Sequence, residues 1–173
     1  MKNIQEFSKY LVLFGLIVVF GVTNYLIFHK ESIIKNGKSI YLKLAPVDPR
    51  SLMQGDYMVL RFEVANNILD ELKRYKNSSV LQKRGLAILS LNNKNIGTFK
   101  AIYKGNKSLR DDEVLISYRL ERYRIKLSTD SYFFEEGKGK KFQKAEYGLF
   151  RVEPSTGEAI LLSLVDKNLL EIK

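Results

Sequence analysis

The sequence predicts a mainly β, α+β domain: an antiparallel sandwich or open barrel with two short helices, preceded by one N-terminal transmembrane helix. Three observations predict it. Beyond position 39, apolar residues recur at every second place over several runs. Connectors rich in Asn and Gly separate those runs. Ahead of them, residues 10–28 read YLVLFGLIVVFGVTNYLIF and carry no charge.

The uncharged run comes first in the chain. As a helix, residues 10–28 rise about 28 Å, close to the roughly 30 Å of bilayer hydrocarbon. Thr23 and Asn24 are its distinctly polar side chains, and Tyr10 and Tyr25 suit a membrane interface. The run is longer than the apolar core of a cleaved signal peptide, and NYLIFHKES offers no small-residue cleavage site. The expected division is a short tail at 1–9, an uncleaved signal anchor at 10–28, a linker at 29–38 and one β-rich domain at 39–173. A buried helix of a soluble protein is the competing reading. Lys2 and Lys9 precede the run while Lys30, Lys35 and Lys38 follow it, so the positive-inside balance is nearly even. Because the N-terminal tail is so short, the expectation is a single-pass protein of a bacterial inner membrane with its C-terminal domain in the periplasm.

The strands follow from alternation. Ile40, Leu42 and Leu44 share one face, and Met58, Leu60, Phe62 and Val64 share another. Further runs lie at 84–91, 96–103, 113–120, 123–127, 148–154 and 158–165. LNNKNIG, YKGNK and PSTG supply hairpin-type turns between them. The parity of apolar residues slips by one between Leu120 and Tyr123, which predicts a β-bulge or a corner near Glu121. Two helices are expected. One covers 65–77, with Ile68, Leu69, Leu72 and Tyr75 on a stripe and Asn66 or Asn67 as cap. The other covers 140–148 and is stopped by Gly148.

Composition narrows the chemistry. The formal net charge is +10, from 29 basic and 19 acidic residues. That excess suits anionic lipid, nucleic acid or an acidic partner, and equally a solvated lysine-rich surface. No Cys is present, so neither a disulfide framework nor thiolate chemistry is available. The single His, His29, closes the apolar run, which excludes a multi-His metal site or a Ser-His-Asp triad in the domain.

Two stretches carry a resemblance. GDYMVLRF at 55–62, entered through PVDPRS, resembles the signature of the GDYXXLXY proteins. SYFFEEGKGKKF at 131–142 resembles that family's second motif, an aromatic pair followed by an acidic-Gly turn, and the closing GEAILLSLV also fits. One departure is that the signature's final Tyr is Phe62 here, which keeps a packing role and lacks the hydroxyl. The resemblance implies a bacterial membrane-associated protein, with an N-terminal membrane helix, that serves as an accessory partner of multi-span membrane proteins. It supplies no catalytic residues.

The motif residues divide into two groups. Pro49, Gly55, Leu60, Phe62, Phe133 and Gly137 suit turns and packing. Asp48, Arg50, Asp56, Tyr57, Tyr132 and Glu136 are the candidate binding residues, with Arg50 suited to a carboxylate or phosphate. The lysines at 138, 140, 141 and 144 could meet anionic headgroups. The expected function is that of a membrane-anchored, non-enzymatic accessory or binding module. It needs no cofactor or metal, and its partners are the lipid bilayer and an integral membrane protein, not nucleic acid. Ligand or lipid-headgroup binding is the alternative. A third reading, similar in outline to signal peptidases, makes Ser51 a nucleophile and Lys83 its base. The sequence reads Ser-Leu-Met-Gln where Ser-Met-x-Pro is expected, and no apolar base segment follows.

Overall fold

The computed structural model of the chain describes residues 2–45, 53–54, 57–74, 83–105, 108–129 and 131–172. Helix α1 spans Lys2–Asn36 without a break. The first eight residues of the stretch 29–38, expected as a linker, continue the helix, and β1 (Lys38–Lys43) starts after Gly37 alone. Polar residues such as His29, Lys30 and Glu31 marked the end of the apolar run, but nothing in them opposes a helix. From Tyr10 to Phe28 the large apolar side chains of α1 are exposed on all sides. The helix is long and apolar enough to cross a membrane.

The last turns of α1 are seated on the domain. Ile33 is fully buried where α1 meets β9 (Tyr147–Val152) and β10 (Ala159–Val165). Gly37 N–H donates to the Ile33 carbonyl at 2.8 Å, and Arg151 Nη1 donates to the Gly37 carbonyl at 2.9 Å. A Cβ on Gly37 would sit 2.5 Å from the Ile33 carbonyl oxygen, so the chain closes up here because residue 37 has no side chain. One turn earlier, Glu158 ion-pairs with Lys30, and its Oε2 lies 3.2 Å from His29 Nε2.

The domain is a curled antiparallel half-barrel. One ladder has the order β1-β9-β10. The other runs β5 (Gly97–Ile102), β4 (Arg84–Leu91), β6 (Glu113–Glu121), β7 (Arg124–Lys126). They meet where Tyr41 pairs in parallel with Ile96 and Tyr41 N–H donates to the Asn95 carbonyl at 2.9 Å. The turn after β9 folds back on β6, where Ser117 N–H donates to the Gly157 carbonyl at 2.7 Å. The sequence left sandwich and open barrel as alternatives, and this curl selects the open barrel. A third, small ladder is β2 (Met53–Gln54), β3 (Tyr57–Val59) and β8 (Ser131–Phe133).

Three local expectations change. Helix α2 covers Glu63–Arg74, starting before Asn66 and Asn67, which lie inside it and exposed. The Phe62 carbonyl accepts the first helical bond, from Ala65 N–H at 3.0 Å, so Val64 belongs to the helix although it continues the strand's alternation. Helix α3 is the single turn Gly139–Phe142, and Gly148 is a residue of β9 rather than a helix stop. Near Glu121 there is neither bulge nor corner but a reversal: Glu121 pairs with Arg124 across a two-residue loop. Arg122 and Tyr123 have φ of 44° and 66°, the geometry of a type I′ hairpin. That turn favours Asn-Gly, which is why Arg-Tyr did not announce it.

The core fills the half-barrel. Ile40, Leu42, Leu89, Ile116, Phe150 and Leu164 are fully buried, and α2 contributes Ile68 and Leu72 from one stripe. Helix α2 packs across β1, β5 and β7, and Glu63 at its first turn bonds Lys43 of β1 at 2.9 Å. That bond is the main cause of a raised Lys43 pKa.

Candidate functional site

The signature strand lies at a junction. Its first part, β3, pairs with β8, so the two motifs far apart in sequence are neighbours: Tyr57 opposite Phe133, Met58 opposite Tyr132, Val59 opposite Ser131. Its continuation meets the end of β1, where Leu44 pairs with Phe62 and Ala45 N–H donates to the Arg61 carbonyl at 2.8 Å. Alternation holds along it. Met58, Leu60 and Phe62 are buried, while Tyr57 and Val59 are half-buried and Arg61 is exposed.

The buried face is aromatic. The Phe62 ring meets Phe150 edge-on at 5.1 Å between centroids. A Cβ on Gly148 would lie 3.0 Å from the Phe62 ring, so the strand glycine makes room for this residue. Phe62, which replaces the signature's Tyr, thus occupies an apolar position that asks for no hydroxyl. On the same face Tyr132 and Phe134 both pack on buried Phe142, at 5.3 and 5.0 Å. Burial pushes the Tyr132 hydroxyl pKa up, with the Glu171 carboxylate adding to it.

The opposite face carries Tyr57 and Phe133, whose rings lie 5.8 Å apart. Phe133 is 75% exposed, so it is a surface aromatic rather than a core residue. Of the candidate binding residues, Tyr57 and Tyr132 fall on opposite faces of the ladder and cannot line one site together. Glu136 is exposed on the turn with Gly137, whose φ is 79°, and its side chain makes no bond among the described residues. Its neighbour Glu135 is the one engaged: Lys138 Nζ lies 2.7 Å away, and this hydrogen bond holds the Glu135 pKa below the ordinary value. Asp48, Pro49, Arg50, Ser51, Gly55 and Asp56 lie outside the described residues. Lys83 is exposed, with its carbonyl accepting Leu120 N–H at 2.8 Å. A lysine base needs desolvation to act, and this position provides none.

A groove of about 830 Å³ opens beside the second half of the signature strand. Residues Val59 to Phe62 form one wall, α2 a second through Ala65, Asn66 and Leu69, and the β6–β7 hairpin the third. Among the described residues four cations, Arg61, Arg122, Arg124 and Lys126, line it with a single acid, Glu121. Glu121 is already bonded by Arg119 Nη1 at 3.1 Å, from outside the groove's lining. Arg61, Arg122 and Arg124 make no ion pair among the described residues. Sequence reasoning missed this set. The run RLERYRIK at 119–126 held a signal in its basic density, but Arg61 joins it only through the fold.

The comparisons with known proteins agree with the two motifs. The model of the GDYXXLXY protein family matches residues 19–164, which includes the second half of α1 and nearly all of the domain. No curated protein and no solved structure matches.

Proposed function

This chain belongs to the GDYXXLXY protein family, and from that premise we propose that it is a membrane-anchored, non-enzymatic accessory module whose domain docks on an integral membrane protein. On this reading α1 crosses a bacterial inner membrane once and the domain stands on the periplasmic side. The single observation that carries it is the junction between α1 and the sheet. A helix that is apolar all round is stable where it is surrounded by lipid or protein, and residues 10–28 find no such surroundings among the described residues of the chain. The eight residues that follow add roughly 12 Å of helix, little more than the headgroup layer. There the Glu158–Lys30 pair, the burial of Ile33 and the bond from Arg151 to the Gly37 carbonyl already tie the helix to the ends of β9 and β10.

The domain is therefore carried at a fixed height and rotation rather than on a tether. A freely diffusing enzyme or a sensor of soluble ligand has no use for that constraint. A partner whose own surface stands at a defined height above the bilayer does. The test is affinity purification from native membranes through a C-terminal tag. A multi-span membrane protein recovered in near-equal amount supports the reading, and recovery of this chain alone overturns it.

A further inference from the structure

We propose that the groove between β7, α2 and the signature strand binds an extended, acidic segment of the partner protein, added as a strand beside β7. This deepens the docking reading above, on which it rests, by naming the chemistry of the segment.

Two independent features converge on this occupant. The first is charge. The groove presents Arg61, Arg122 and Arg124 beside the apolar Leu69 and Ile125, and among its described lining residues the one acid, Glu121, is bonded by Arg119. Guanidinium groups match carboxylates in a fork geometry, and an apolar floor takes the alternate side chains of the same strand. The second is the backbone. Strand β7 is the last of its ladder among the described residues. Glu121 and Arg124 close a two-residue loop, which in such a hairpin is the hydrogen-bonded pair, so the N–H and C=O of Ile125 turn away from β6 and towards the outer edge of β7. Leu120, opposite Ile125, confirms that phase: its N–H turns away from β7 and donates to Lys83 at 2.8 Å. An extended peptide with Glu or Asp at alternate positions meets both features at once, main chain on the Ile125 edge and carboxylates on the arginines. The hairpin tip adds a third contact, since Tyr123 is 89% exposed beside Arg122. Two adjacent non-glycine residues at positive φ hold that tip in a conformation L-residues rarely adopt.

The experiment uses the full chain in a non-ionic detergent and a short fluorescent peptide alternating Glu with Val. Anisotropy titrations compare it with the same peptide carrying Gln for Glu, and with a single-stranded oligonucleotide of equal charge. The Glu peptide is expected to bind at least about tenfold more tightly than either, and to weaken as ionic strength rises. Arg122→Gln with Arg124→Gln should reduce its affinity by about tenfold or more, while Lys140→Gln with Lys144→Gln, which removes the same charge elsewhere, leaves it unchanged. Should the arginine pair disturb folding, seen by circular dichroism, methylating the peptide's backbone amides in turn gives the second measurement: alternate positions abolish binding. Equal binding of the Gln peptide or the oligonucleotide, equal loss in the lysine control, or indifference to amide methylation overturns the proposal. None of these results depends on co-purification from membranes, so the groove and the docking reading fail separately.

Discussion

Ile33 and Tyr123 mark opposite ends of a range within one small protein. Ile33 is wholly buried where α1 meets the sheet, whereas Tyr123 is 89% exposed at the tip of the β6–β7 hairpin. Around Ile33, backbone carbonyls are capped, a glycine permits close approach, and Glu158 is paired with Lys30. Around Tyr123, Arg122 and Arg124 make no ion pair among the described residues, and the backbone takes positive φ at two successive non-glycine residues. The first region spends its chemistry on fixing geometry. The second places arginines at the end of a ladder and holds a turn at φ values that L-residues rarely adopt.

Breaking the first region should have the largest effect. Ile33→Ala removes a fully buried side chain from the α1–sheet junction and should destabilise the domain by about 2–5 kcal/mol. Denaturant unfolding of the full chain in detergent micelles checks it, and hydrogen exchange should show the loss centred on β9 and β10. A cost below about 1 kcal/mol would mean that the helix is not seated as described.

The second region should respond in the opposite direction. Replacing Arg122 with Asn and Tyr123 with Gly gives the hairpin the residues its φ angles favour, and should stabilise the domain by about 1 kcal/mol. A midpoint shift to higher denaturant with an unchanged slope is the expected observation. The same variant should lose affinity for the acidic peptide, so stability and binding would part company at this turn.

The smallest effect sharpens the comparison at the second motif. Glu135 is held below its ordinary pKa by Lys138, in an exposed pair. A lowered folded-state pKa means that the pair's stabilisation is present above the unfolded carboxylate range and fades as pH falls through the folded value. Lys138→Met should therefore raise the Glu135 pKa measured by NMR while moving the unfolding midpoint scarcely at all, since exposed pairs contribute little.

Legibility in the sequence followed physical cause. Strand β4 was read with its boundaries intact at 84–91, because alternation and flanking connectors agreed. Strand β8 was not anticipated: three residues in an aromatic run show no period, and the strand exists because Tyr57, Met58 and Val59 pair with it. The start of α2 was misplaced because Val64 happens to suit both periods and Phe62, at the cap position, has no side-chain oxygen to mark it. Of the candidate site, the extended run was legible because its motif is local, although regular pairing is confined to Tyr57–Val59 and a bridge at Phe62, and the last two positions of the alternation, Glu63 and Val64, are helical. The split between a core face with Leu60 and Phe62 and an opposite face with Tyr57 was legible too, from alternation, whereas the basic flank that joins Arg61 to the β6–β7 hairpin was not.

What the sequence determined by itself was local and periodic: an apolar helix, alternating strands, two family motifs and a cationic excess. These follow from side-chain order along one segment at a time. The tertiary structure decided what lies beside what. It ran α1 into the domain, where burial of Ile33 outweighs the polar look of residues 29–36. It set the two motifs edge to edge and brought Arg61 to Arg122 and Arg124. Such contacts depend on how the sheet curls and which strand ends at an edge, and no short window of residues encodes either.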